Sequence, residues 1–176
     1  MSTFALFPGA RPPHSELSTD AQCTPLALTR ILGRFGVDPC SNPLSTVQAD
    51  RTCMLELGQD GLSDPWTLDG STTSPLASVW CNGPYSGPLP WCERLRAHQA
   101  PWASLWKLDP TTQWFREALA LGPASTRAWW APFARRLPFV RAGNVGVAEF
   151  PSVLIWRDWK VPRALRSWLM TPRRER

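Results

Sequence analysis

Tyrosine is nearly absent from this chain: of 176 residues only Tyr85 carries a phenol. Histidine is scarce as well, with His14 and His98 alone. The five cysteines, Cys23, Cys40, Cys53, Cys81 and Cys92, are widely and irregularly spaced and include no Cys-x-x-Cys pair. So few nitrogen ligands and no paired thiols argue against a structural zinc site. Reduced thiols of a cytosolic protein are the expectation instead. No apolar run reaches the roughly 18 residues of a membrane span. Met1 to Pro13 lacks the positive region and apolar stretch of a signal peptide. The reading is therefore no metal, no membrane and a cytoplasmic location. Internal repeats and low-complexity tracts are missing too.

Hydrophobic residues make up 43 % of the chain and charged residues 19 %, which fits one globular domain with its own core. Nineteen prolines argue for many loops and against an all-helical bundle. The charge is uneven. Residues 1–88 hold 4 Lys/Arg and 8 Asp/Glu, a net −4, whereas residues 89–176 hold 15 and 6, a net +9. A basic half on a small protein is an electrostatic hint of a polyanionic partner.

Along the chain, residues 1–22 read as a loose leader with Pro8, Pro12 and Pro13. Thr24-Pro25 opens a helical pattern through Leu26, Leu28, Ile31 and Leu32, and Gly33 and Gly36 end it. Phe35 to Pro39 predicts a short strand that breaks into the loop Cys40-Ser41-Asn42-Pro43. A second strand is expected within Val47–Leu57, and Asp60 to Trp66 is turn-rich. Strands are predicted to end at Cys81 and to cover Trp102–Leu108, Phe133–Arg141 and Ser152–Trp156. Helices are predicted over Pro88–Ala97 and from Thr111 or Thr112 to Leu121, with an amphipathic segment over Pro162–Met170. Strands alternating with helices give an α/β sheet.

The lone tyrosine sits just after the Cys81 strand, in Ser78-Val79-Trp80-Cys81-Asn82-Gly83-Pro84-Tyr85-Ser86. In open α/β sheets, ligands bind beyond the carboxyl ends of strands. There, the Asn82 side-chain oxygen and the residue 83 carbonyl offer two acceptors, and Tyr85 offers a flat π surface. That set suits a planar ligand bearing an amino group.

Asn82-Gly83-Pro84-Tyr85 resembles the Asn/Asp-Pro-Pro-Tyr motif of amino-group DNA methyltransferases. The chain as a whole is similar to the small phage-type DNA N-6-adenine methyltransferases of the Dam family. Thr24-Pro25, Asp38-Pro39-Cys40-Ser41-Asn42, Asp60-Gly61-Leu62 with Trp66, and the Val79–Ser86 run occur in the family's order. So do Trp91, Trp114-Phe115, Arg136-Leu137-Pro138-Phe139 and Val153-Leu154-Ile155. The similarity covers roughly residues 23–157. It departs at Gly83, where the family has proline: the backbone carbonyl survives this change, but the backbone gains freedom.

The resemblance implies a single-domain Rossmann-like fold, a mixed sheet flanked by helices. Residues 23–160 would form the methyltransferase domain, and 161–176 a basic helix and tail. It implies S-adenosylmethionine as cofactor and adenine in double-stranded DNA as substrate, with a monomer or weak homodimer as the working form. Asn82, Gly83, Pro84 and Tyr85 would be catalytic. Thr24, Pro25, Asp38, Pro39, Ser41, Asn42 and Asp60 would contact the cofactor. Ser86, Trp114, Arg127, Arg135, Arg136 and Arg141 would contact DNA. Adenine would be flipped from the stack, and its amino group would be aimed by Asn82 and the residue 83 carbonyl.

Each of these residues also has a plainer role. Without the resemblance, the Asp38–Asn42 run reads as a proline-stabilised turn, Thr24-Pro25 as a plain helix start, and Asp60 or Asp64 as turn residues. Trp129-Trp130 with Arg135-Arg136 reads either as ordinary packing or as base and phosphate contacts. Arg163 and Arg166 read as one solvated face or as phosphate contacts, and His98 as a surface helix-end residue. A methyltransferase-like protein that binds nucleic acid without catalysis is the alternative function. Methylation of another amino group and a purely structural or interaction protein are further readings.

Overall fold

The computed structural model describes residues 23–119, 128–141, 144–147, 150–171 and 173–174. Four helices and nine strands form within them: α1 Leu26–Leu32, β1 Arg34–Asp38, β2 Gln48–Thr52, β3 Val79–Cys81, α2 Leu89–Ala97, β4 Trp102–Lys107, α3 Gln113–Leu119, β5 Trp129–Pro132, β6 Pro138–Arg141, β7 Asn144–Val147, β8 Ser152–Arg157, α4 Arg163–Arg166 and β9 Arg173–Arg174. Seven strands make one sheet in the order β2-β1-β3-β4-β8-β5-β9, and β6 and β7 form a separate hairpin. The first four are parallel neighbours, whereas β8 runs antiparallel to both β4 and β5. The architecture is thus α/β with a mixed sheet flanked by helices, compatible with a Rossmann-like fold.

Period-two alternation sends successive side chains to opposite faces. Val79 and Cys81 join Val153, Ile155, Trp102 and Trp106 in one core layer under α2 and α3, with Trp66, Trp91, Leu95 and Phe115. Trp80 joins Ala103, Leu105, Leu154 and Trp156 in the other, with Leu28, Leu32 and Leu165 from α1 and α4. All six residues of β8 are buried. A strand covered on both faces reads as a continuous apolar run, which is why Ser-Val-Leu-Ile-Trp is conspicuous in the sequence. Gly33, with φ +83, ends α1 in a backbone region that side chains rarely adopt.

Four expectations change. The second strand stops at Thr52, and Leu55–Leu57 coil into a 3₁₀ turn closed by Gly58 at φ +71. The strand placed over Phe133–Arg141 is split. β5 lies earlier, paired Trp130↔Ile155 with β8, while Pro138–Arg141 turns away into the hairpin with β7. Two adjacent indoles hide the alternation of β5, so its pairing with β8 and not its pattern makes it a strand. The C-terminal segment forms a helix only over Arg163–Arg166, and Arg173–Arg174 pair with Trp130 and Trp129. Finally, His98 is not a surface residue: it is 6 % exposed, with Nε2 2.8 Å from the Ala77 carbonyl and its ring edge-on to Trp66. Burial holds its pKa below the ordinary value.

The loop after the 3₁₀ turn is pinned from several sides. Trp66 donates its indole N–H to the Gly61 carbonyl at 2.9 Å, and the Arg94 guanidinium lies 4.6 Å above the Trp66 ring. Arg94 also donates to the carbonyls of Leu62 and Asp64, and Arg51 donates to that of Pro65 at 2.5 Å. Gly61 itself lies against the end of β1: a Cβ there would sit 1.8 Å from the Pro39 carbonyl oxygen. That neighbour is backbone and cannot swing aside. Gly61→Ala is therefore expected to cost about 1–3 kcal/mol, an overpacking penalty, read as a lowered urea midpoint with an unchanged m-value.

Candidate functional site

From β1 the chain passes to β2 on one side and then returns past β1 to β3 on the other. Sheet order reverses between β1 and β3, and a crevice opens at the carboxyl ends of strands at such a point. β1 ends in Asp38 and β3 in Cys81, so two sequence-predicted segments, Asp38–Asn42 and Asn82–Tyr85, flank this one crevice. Cys40 Sγ lies 3.5 Å from Cys81 Sγ, which brings the two loops into contact.

Asn82 is held from both ends of its amide. Its Nδ2 donates to Thr24 Oγ1 at 3.3 Å, and its Oδ1 accepts from the Tyr85 hydroxyl at 3.1 Å. Thr24, 3 % exposed, thus touches Asn82 directly, and Pro25 starts α1 by accepting from the N–H groups of Leu28 and Thr29. The Tyr85 ring stands edge-on to Phe150 at 5.1 Å and to Phe139 at 6.3 Å. Neither phenylalanine carries a periodic signal in the sequence that would have placed it beside Tyr85.

Gly83 is buried, and it is space rather than a positive φ that calls for glycine. A Cβ at this position would meet the Trp106 ring at 2.8 Å and the Trp91 ring at 3.2 Å. The two indoles leave no space for a side chain there. Trp114, read as a DNA contact, sits in the same aromatic layer, 5.7 Å from Trp106 and 5.6 Å from Phe115. Pro84 is half-buried and Ser86 exposed at the mouth of the tetrapeptide.

On the β1 side the loop is closed on itself. The Asp38 carboxylate accepts from the Cys40 N–H at 3.1 Å and the Ser45 hydroxyl at 3.4 Å. Asn42 Oδ1 accepts from the Leu44 N–H at 2.9 Å and the Cys23 thiol at 3.3 Å, and the Ser41 N–H reaches the Cys53 carbonyl at 3.1 Å. The turn reading of these residues is realised in full. Asp60, exposed, accepts from the Leu62 N–H at 2.9 Å and the Ser63 hydroxyl at 3.0 Å, again a turn. Burial pushes the Asp38 carboxyl up to about 6, against the opposing pull of the Cys40 N–H and the Ser41 and Ser45 side chains. Burial, and then the facing Cys81, pushes the Cys40 thiol well above its ordinary value.

Of the residues read as DNA contacts, Arg135 and Arg136 are exposed on the turn that follows β5. Arg127 and the Arg141 side chain lie outside the described residues. Among the described residues no cluster of His, Cys, Asp or Glu is arranged to hold a metal ion, and no helix is long and apolar enough to cross a membrane. Comparison with protein families, curated proteins and solved structures finds no match to this chain.

Two outcomes follow from this geometry. Gly83→Pro is expected to destabilise the fold by about 1–3 kcal/mol, and Trp106→Leu in the same chain to recover part of that loss. A double-mutant cycle in urea measures the coupling, and additive costs would disprove the packing account. Asp38 has a raised folded pKa, so the stability it contributes is present below pH ~4 and is lost as pH rises towards 6, by at most about 3 kcal/mol. The difference in unfolding free energy between wild type and Asp38→Asn should fall across that window and level off above it.

Proposed function

We propose that the chain is an S-adenosylmethionine-dependent methyltransferase acting on the 6-amino group of adenine in double-stranded DNA. One observation carries the reading: the Asn82 amide, clamped by Thr24 and Tyr85, stands at the carboxyl end of β3 where sheet order reverses, across from the loop that ends β1. An acceptor pair and an aromatic ring at that place suit a planar base with an exocyclic amine.

S-adenosylmethionine, when bound, supplies an electrophilic methyl group on a sulfonium. Pro39, Ser41 and Asn42 would hold it through loop backbone, because the Asp38 carboxylate and the Asn42 oxygen already serve their own turn. Asp38 then acts by fixing that loop, and exposed Asp60 borders it through the Gly61–Pro39 contact. On the base side, Asn82 Oδ1 and the Gly83 carbonyl would accept the two amine N–H bonds and turn the nitrogen lone pair towards the methyl group. The Tyr85 hydroxyl and Thr24 keep the amide in one orientation, and the Tyr85 ring offers a stacking face. Fixed acceptors of this kind supply rate by positioning.

Charge supports a nucleic-acid partner. Residues 128–141, 159–171 and 173–174 hold Arg135, Arg136, Arg141, Lys160, Arg163, Arg166, Arg173 and Arg174 and no Asp or Glu. These segments lie side by side: the Ala134 N–H donates to the Trp168 carbonyl, the Met170 N–H to that of Pro132, both at 2.9 Å, and β9 pairs with β5. Arginine dominates the set, and its planar fork matches phosphate oxygens. The reading of a catalytically silent nucleic-acid binder is favoured by a separate observation, that Asn82 is already engaged at both amide ends.

Incubation with labelled S-adenosylmethionine and duplex DNA, followed by nucleoside analysis, decides between the two. N-6-methyladenine is expected. Asn82→Ala is expected to lower transfer by at least roughly 10²-fold, as lost positioning does, with cofactor affinity by calorimetry within a few-fold of wild type. Full transfer by that variant would overturn the assignment.

A further inference from the structure

Cys40 and Cys81 face each other across the β1–β3 crevice with their sulfur atoms 3.5 Å apart, and both are free thiols. Cys81 is fully buried at the last position of β3, next to Asn82, whereas Cys40 is partly exposed in the loop between Asp38 and Ser41. No other sulfur pair among the described residues lies at hydrogen-bond distance, and the two belong to the two loops that make the site. We propose that Cys40 and Cys81 form a reversible disulfide under hydroperoxide, and that this bond switches the crevice between two loop arrangements.

The chemistry balances with the hydroperoxide as oxidant. The minor thiolate form of Cys40, in the loop rather than in the strand, attacks the peroxide oxygen; the O–O bond breaks, an alcohol or water leaves, and Cys40 becomes a sulfenic acid. The Cys81 sulfur then attacks the Cys40 sulfur, the S–O bond breaks and water leaves with the thiol proton. Two electrons pass from the thiol pair to the peroxide. A dithiol returns both electrons by exchange. Burial keeps Cys40 largely as the thiol at neutral pH, so the pair stays reduced until an oxidant is abundant.

Bond formation must draw the two sulfurs together. A disulfide needs S–S of about 2.05 Å, so the sulfurs close by roughly 1.5 Å. Cys81 sits in a strand paired on both sides, while Cys40 sits in a turn, so the turn does the moving. The Cys40 N–H is bound to the Asp38 carboxylate and the Ser41 N–H to Cys53, and Asn42 holds Cys23 beside Thr24, which holds Asn82. Displacing the turn therefore loads both sides of the crevice. The consequence for cofactor binding rests on the methyltransferase reading; the cross-link and the loop shift do not.

The test uses the full chain, reduced and then treated with hydrogen peroxide. The intact mass is expected to fall by two hydrogens, a non-reducing digest to yield a peptide joining Cys40 to Cys81, and dithiothreitol to reverse both. Hydrogen exchange in peptides covering residues 38–46 and 82–87 is expected to change on oxidation and to stay unchanged in peroxide-treated Cys40→Ser. S-adenosylmethionine affinity is expected to drop at least tenfold and to recover on reduction. If both cysteines remain open to alkylation after peroxide, or if the cross-link leaves exchange in both peptides as before, the proposal is wrong. If the reduced chain binds no S-adenosylmethionine, the methyltransferase reading fails while the cross-link and exchange results still decide this proposal.

Discussion

The reversal of strand order between β1 and β3 is the constraint on which the site depends. Two parallel neighbours whose outgoing loops depart in opposite directions leave the carboxyl edge between them without a crossover, to be bridged by side chains. Asp38 and Cys81 end the two strands, so whatever follows each of them in sequence is delivered to the same opening. The Cys40–Cys81 contact and the Asn42–Cys23, Thr24–Asn82 and Asn82–Tyr85 hydrogen bonds all span or border it. The remaining sheet, with β8 buried between β4 and β5, acts as the rigid wall from which these short loops hang.

Tryptophan accounts for much of that rigidity. Trp66, Trp80, Trp102 and Trp106 are all fully buried, two layers deep in a protein of modest size. Large flat side chains fill the space between sheet and helices at little cost in rotamer freedom, and they leave little room elsewhere. Gly83 is the visible consequence: with Trp106 and Trp91 over it, no larger residue fits without displacement. The glycine that departs from the proline of the resembled motif is thus matched to its own core. It holds the loop by being covered, where proline would hold it by its ring.

Much of the fold was legible because the strands advertise themselves. β8 carries the apolar run Val153–Trp156 and β4 is mostly apolar from Trp102 to Trp106, since both sheet faces are covered, and α1 is bracketed by Pro25 and Gly33. The strand ending at Cys81 was legible in the short apolar run before Asn82. Other features were not. Trp129-Trp130 gives no alternation, so β5 emerges only from its register with β8. His98 looks like any polar residue near a helix end, and only the packing of Trp66 and the Ala77 carbonyl draws it inside. Phe139 and Phe150 lie outside any periodic pattern, and the tertiary fold alone brings them to Tyr85.

By itself the sequence determined what is local: which runs are apolar enough to be strands, where proline and glycine start and stop helices, and that an amide and the lone phenol follow the Cys81 strand. These depend on neighbours within a few residues, and chain chemistry carries them directly. Tertiary structure alone decided what is distant. It set Thr24 against Asn82, 58 positions apart, and Cys40 against Cys81, 41 positions apart. It turned the Asp38 carboxylate into its own loop, gave Gly83 its reason in Trp106, and folded the basic tail back along β5. Such pairings follow from strand order, and strand order comes from how whole faces of sheet and helix bury one another, which no short stretch of residues encodes.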